Sequence, residues 1–177
     1  MKPLFVIFFG SLWAVSVQAQ DVPLAWLKVE RDLPPTLSNL DPVPEDLGFA
    51  GAETALEDNA TTGRFLGQSW SLTERFVAQG DEALSVARAA LEETPFLIID
   101  APAETLLAIA DLPEAQGALI FNAGEGEPSL RDEACRSNLF HTLPSTAMRT
   151  DALAQMFLKK RWSELVMIAG GAPQDQA

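Results

Sequence analysis

The chain has 177 residues, 25 acidic against 12 basic side chains, a formal net charge of −13, one cysteine and one histidine. That balance argues against nucleic acid as a partner, because neutralising phosphates takes clustered Lys and Arg. The only basic cluster, Lys159-Lys160-Arg161, falls late in a predicted helix, where cations suit the helix dipole. One cysteine excludes a disulfide scaffold, so the core must rest on apolar packing, and Cys135 is expected to be buried rather than paired with a thiol outside this sequence.

The N-terminus reads as an export signal. Lys2 supplies a positive start, residues 4–17 (LFVIFFGSLWAVSV) form an apolar run, and Val17-Gln18-Ala19 offers small residues at the two positions a signal peptidase reads. The run is too short to span roughly 30 Å of hydrocarbon, which favours cleavage after Ala19 over an uncleaved anchor. Cleavage removes Lys2 and no acid, so the net charge moves from −13 to −14.

From there strands and helices alternate. Residues 26–29 suggest a first strand, followed by a rigid connection through Leu33-Pro34-Pro35 and Asp41-Pro42-Val43-Pro44. Glu45 and Asp46 then open a helix with Phe49, Ala52 and Leu56 on one face, and Gly63 and Gly67 punctuate its exit. A second strand is expected over 70–77. The helix opened by Gly80-Asp81-Glu82 carries Leu84, Ala87 and Leu91 along one side. Phe96-Leu97-Ile98-Ile99 and Ala118-Leu119-Ile120-Phe121 have the composition of strands buried on both faces. Between them, Pro102 and Glu104 start a third helix bearing Leu106, Leu107 and Ala110. After residues 138–141, Pro144 precedes a helix with Met148, Ala152, Met156 and Phe157, and Leu165-Val166-Met167-Ile168 closes the pattern as an apolar run of strand type. Strands alternating with helices imply an α/β fold, an open parallel sheet flanked by helices and joined by right-handed crossovers.

Catalytic and metal signatures are missing. Gly124-x-Gly126 is a fragment of a dinucleotide fingerprint, stopped by Pro128, and there is no phosphate loop. In Asp58-Asn59-Ala60-Thr61-Thr62-Gly63, alanine occupies a position where calcium needs an oxygen ligand. Cys135 and His141 are two ligands where a structural zinc wants four, and no orienting group marks them as a nucleophile and base. The expectation is a non-enzyme with no metal and no cofactor. In open parallel sheets a ligand sits beyond the carboxyl ends of the strands, marked here by Asp100 and Ala101, then Asn122, Ala123 and Gly124. Asn122 can donate and accept, and Gly124 lets backbone approach a ligand closely; equally, Asn122 and Asp100 could cap helices or hold turns.

Residues 47–59 (LGFAGAETALEDN), the turn 61–67 (TTGRFLG), residues 138–145 (NLFHTLPS) and Lys160-Arg161-Trp162 ahead of 165–168 carry a resemblance. In order and spacing they resemble the type I periplasmic solute-binding proteins of ABC transporters, the branched-chain amino-acid-binding kind. Residues 37–41 (LSNLD), 59–65 (NATTGRF) and 135–138 (CRSN) are similar to a subgroup associated with pyrroloquinoline-quinone-dependent alcohol dehydrogenase systems. Beyond the signal peptide read over 1–19, the resemblance implies lobe one over 20–140, and a hinge crossing with the first helix and strand of lobe two over 141–177. It implies a periplasmic, non-catalytic protein that holds a small solute between lobes, with Ser145 adding a contact beyond the crossing, and an ABC permease as partner. The competing expectation is a periplasmic accessory protein that docks on a quinoprotein dehydrogenase and no longer serves transport. The family has two lobes and about twice this length, so the sequence reads as lobe one, the crossing and a stub.

Overall fold

The computed structural model describes residues 20–31, 42–78, 82–168 and 170–171. The expected signal segment, most of the Pro-rich connection and the Gly80-Asp81 opening of the second helix lie outside the described residues. The elements are β1 (Gln20–Val29), α1 (Phe49–Leu66), β2 (Gln68–Val77), α2 (Glu82–Glu93), β3 (Phe96–Asp100), α3 (Ala103–Ala110), β4 (Leu119–Asn122), β5 (Leu139–His141) and α4 (Thr146–Lys160). Short 3-10 turns at Pro113–Ala115 and Pro128–Arg131 link the later strands.

All pairings are parallel, in the order β2-β1-β3-β4-β5. The expected open parallel sheet flanked by helices is therefore the fold. β1 is an interior strand and longer than the sequence suggested, pairing along its whole length with β2 but only over Ala25 to Lys28 with β3. Pro23 lies in the part of β1 that β3 does not reach, so its missing N–H breaks no ladder bond there. The Pro23 carbonyl accepts from the Thr94 hydroxyl at 2.6 Å, just ahead of β3.

Side chains alternate across each strand, and the two faces differ. On one face Leu27, Leu97, Ile99 and Ile120 are fully buried with Leu106 and Ile109 of α3, while Ala83, Ala87 and Ala90 bring α2 close to the sheet. Burying each large aliphatic side chain contributes about 1.5–3 kcal/mol, so this face is the core. The other face carries α1. Phe49 meets Trp26 edge-on with centroids 6.4 Å apart, and Ala52, Leu56 and Ala60 follow at helical spacing, half-buried, with Gly63 fully buried. Gly63 does not end the helix as expected. A Cβ there would stand 2.8 Å from the Trp70 indole nitrogen, so the glycine allows the strand to approach. Gly67 is the terminator, left-handed at φ 69°.

Three further expectations change. β3 and β4 are not buried on both faces: Leu97 and Ile99 are inaccessible, but Phe96 and Ile98 are only half-buried and Leu119 is exposed, because no described helix covers the second face beyond α1. Cys135 is exposed, because it lies in the turn that leads out of the 128–131 helix toward β5. Residues 162–168 form no strand, and Val166, Met167 and Ile168 are more than nine-tenths exposed, since no described strand pairs with them. The stretch expected to cross to a second lobe starts as β5, the parallel edge strand of this same sheet.

Candidate functional site

The strand order reverses direction between β1 and β3: from β1 the chain passes to α1 on one face, from β3 to α3 on the other. A crevice opens at such a switch point, beyond the carboxyl ends of the strands. Here it is occupied by Arg31, two residues past the end of β1. Its Nη2 donates to Asp100 Oδ1 at 3.1 Å and to the Ala101 carbonyl at 2.5 Å, and Nη1 donates to Glu125 Oε2 at 3.1 Å. One guanidinium thus ties the exits of β1, β3 and β4. The side chains of Arg31, Asp100 and Glu125 are each only about a quarter exposed or less.

Gly124 completes this corner. A Cβ at that position would fall on the Asp100 carboxylate and come within 3.2 Å of Arg31 Nη2, so glycine is what allows the ion pair to sit against the backbone. A cavity of about 230 Å³ lies over the corner, lined by Lys28, Val29, Arg31, Val43, Leu47, Asp100 and Gly124. Lys28 Nζ, on its edge, donates to the Leu47 carbonyl. Glu125 also lines a cleft of about 570 Å³ with Glu127, Pro128, Thr146, Ala147, Thr150 and Asp151, between the β4 exit and α4.

The six residues expected at the site meet along this one edge but in different capacities. Asp100 reaches the cavity. Ala101 is fully buried and offers its carbonyl to Arg31. Asn122 is fully buried and fully engaged. Its Oδ1 accepts from the Gly124 and Glu125 amides at 3.2 and 2.8 Å, and its Nδ2 donates to the Glu125 carbonyl at 2.7 Å and to His141 Nδ1 at 3.0 Å. A side-chain amide has two donors and two acceptor positions, so none is left for a ligand. Asn122 builds the loop that presents Gly124. The Ala123 amide donates to the Ile99 carbonyl. Ser145 caps α4, its Oγ accepting from the Met148 amide at 3.1 Å, and Thr146 N–H donates to the Gly126 carbonyl at 2.8 Å.

Arg31, Glu125 and Lys28 were not among the expected residues. The signal for Arg31 was a cation two residues beyond a strand end. Its partners lie 69 and 94 positions away, a distance no local pattern spans.

Since Asn122 donates to His141 Nδ1, the neutral imidazole carries its proton on Nε2. That atom is buried with no hydrogen-bond partner among the described residues. Burial, and then the nearby Arg131 guanidinium, hold the His141 pKa below its ordinary value of 6.5, while the Leu130 backbone pulls the other way. The ring is a packed, neutral brace between β4 and β5.

Residues 135–138 lie at the opposite, amino-terminal end of the sheet. Arg136 binds Asp111 through two bonds of 2.6 and 2.9 Å, and this hydrogen bonding holds the Asp111 carboxyl below its usual range. Asn138 Nδ2 donates to the carbonyls of Ala110 and Ala115. These contacts fasten the end of α3 to the start of β5. Residues 59–65 likewise belong to α1, where Asn59 Nδ2 donates to the Ala55 carbonyl and the Thr61 hydroxyl to that of Glu57. Among the described residues there is no group of three or more His, Cys, Asp or Glu placed to hold a metal ion. The chain matches no protein-family model and no curated protein.

Proposed function

We propose that this chain is a non-catalytic solute-binding protein of the type I periplasmic kind, serving an ABC transporter. A small polar solute would bind on the rim formed by the exits of β1, β3 and β4. The supporting observation is the Arg31–Asp100–Glu125 corner with Gly124 held bare beside it, at the switch point of a fully parallel sheet. A solute with hydroxyl or ammonium groups finds acceptors in Asp100 and Glu125, and one with a carboxylate finds Arg31 and Lys28. The corner holds ion pairs and backbone groups, with no nucleophile set beside a base, which fits binding without reaction. Export with cleavage after Ala19 belongs to the same proposal; mass spectrometry of the exported protein should show Gln20 as its first residue, and a retained leader would refute export by cleavage.

On this reading the described residues would supply one wall of the binding site. A closed micromolar site corresponds to about −8 kcal/mol, and one wall providing half of that gives a dissociation constant of roughly 1 mM. Calorimetric titration of residues 20–177 with small organic acids, alcohols and amino acids should find a solute in that range. Arg31→Met combined with Asp100→Asn should abolish the heat. Binding that survives the double substitution, or chemical conversion of the solute, would overturn the proposal.

A further inference from the structure

His141 is the chain's single histidine, and it stands opposite Asn122, its register partner across β4 and β5. The Asn122 amide is held one way round. Its Oδ1 accepts from the Gly124 and Glu125 amides, and its Nδ2 donates to the Glu125 carbonyl. Turning it over would set donors against those amides and an oxygen against that carbonyl. Nδ2 therefore faces His141 Nδ1 at 3.0 Å, and only an unprotonated Nδ1 can accept there.

The neutral ring thus completes the lock on the 123–125 loop. An imidazolium carries a proton on each nitrogen and has no accepting edge in any rotamer. Once His141 takes a second proton, Nδ1–H and Nδ2–H meet as two donors. Moving the ring aside does not resolve the conflict, because Asn122 is fully buried and an abandoned N–H is costly in the interior. Turning the amide over does. Oδ1 then accepts a charge-assisted bond from the cation, a stronger contact than the neutral one it replaces. The three bonds to Gly124 and Glu125 are given up in exchange.

The charges around the ring leave that oxygen as the acceptor within reach of Nδ1. The 128–131 turn brings Arg131, whose guanidinium opposes protonation, while the Leu130 backbone favours it. β4 brings Asn122 and no charge, and α4 brings Arg149, close to Gly126. The Glu125 carboxylate is turned to Arg31. The 123–125 loop holds Gly124 bare against Asp100 and Glu125 bonded to Arg31, so its release loosens the corner from the β4 side.

We infer that His141 is a proton-operated latch: its protonation turns Asn122 over, frees the 123–125 loop and opens the corner formed by Arg31, Asp100 and Glu125. As regulation of solute binding, the inference rests on the rim being the solute site; as a movement of the loop, it does not.

A sole histidine gives one unambiguous set of ring resonances. Nuclear magnetic resonance of the protein between about pH 7.5 and 4.5 should show the His141 ring titrating below 6.5, with the Gly124 and Glu125 amides shifting at the same midpoint. Their protection against hydrogen exchange, corrected for its intrinsic pH dependence, should fall at least about tenfold on the acid side. His141→Gln offers Asn122 an acceptor at every pH and should keep both amides protected. Asn122→Asp supplies acceptors to the loop and to the cation together, so the ring should titrate at a higher pH than in the native chain while the loop stays closed. These readouts need no solute, so the latch and the solute site fail separately. Amides that keep their protection while the ring titrates, a ring that stays neutral down to acid unfolding, or the same loss of protection in His141→Gln would each overturn the inference.

Discussion

Gly124 and Asp100 show how a single hydrogen atom sets the geometry of the rim. Alanine at 124 must push the Asp100 carboxylate off Arg31 or shift the loop that Asn122 builds. Gly124→Ala should destabilise the protein by about 1–3 kcal/mol, read as a lower urea midpoint. With Asp100→Ala in place the obstructing carboxylate is gone, so the glycine substitution should cost markedly less. Full additivity of the two changes would mean that the clash is not the cause. Asp100, Asn122 and Gly124 were legible in the sequence as strand-end residues, because apolar runs stop visibly where the chain leaves a sheet. Their division of labour was not. Whether an asparagine faces outward or secures its own loop depends on the amides at Gly124 and Glu125 and on a histidine 19 positions later, which local pattern does not place.

Among the elements, the alternation of β and α was readable because each βα unit is locally amphipathic and bounded by Gly, Pro or a capping residue. α4 shows the limit of that reading. Its apolar stripe predicts a buried face, and the helix forms with Ser145 as its cap, yet none of its residues is buried among the described residues. Amphipathicity says that a helix needs a partner and leaves the partner unspecified. Ser145→Ala removes the cap bond to Met148 and should cost about 1 kcal/mol. Because α4 is not packed into the core, that loss should appear locally. Amide exchange should accelerate over the first turn of α4 while the global unfolding midpoint scarcely moves. A large drop in the midpoint would show that α4 is energetically joined to the sheet. The unpaired run 165–168 follows the same logic: its composition suits a strand, but a strand exists only where a neighbour supplies the other half of the ladder.

For the whole molecule, acidity and a sheet whose second face the described helices cover only in part dominate. His141 gives the pH response a defined sign. Its pKa is lowered in the folded state from 6.5, so above 6.5 both folded and unfolded chains hold it neutral and its contribution is complete. As pH falls below 6.5 the unfolded chain takes up a proton that the folded chain refuses, and stability declines until the lowered folded pKa is passed. The urea midpoint should therefore fall between pH 7.5 and pH 5 more steeply for the native chain than for His141→Gln, which keeps a side chain able to meet Asn122. Parallel curves would remove His141 from the account. Fold class was legible at this scale because composition and periodicity are summed over many residues. The part of the second face that no described helix covers was not, since it depends on where distant elements pack.

Pro23 has one further consequence. Its carbonyl faces the Thr94 side of β1, toward β3, and in a parallel strand a residue's amide position points the same way as its carbonyl. Were β3 to slide two residues toward the start of β1, it would meet a ring with no hydrogen to offer in place of a rung. The proline therefore acts as an end stop on the track between the two strands. It keeps Lys28 opposite Asp100, and so keeps Arg31 within reach of the carboxylate it holds.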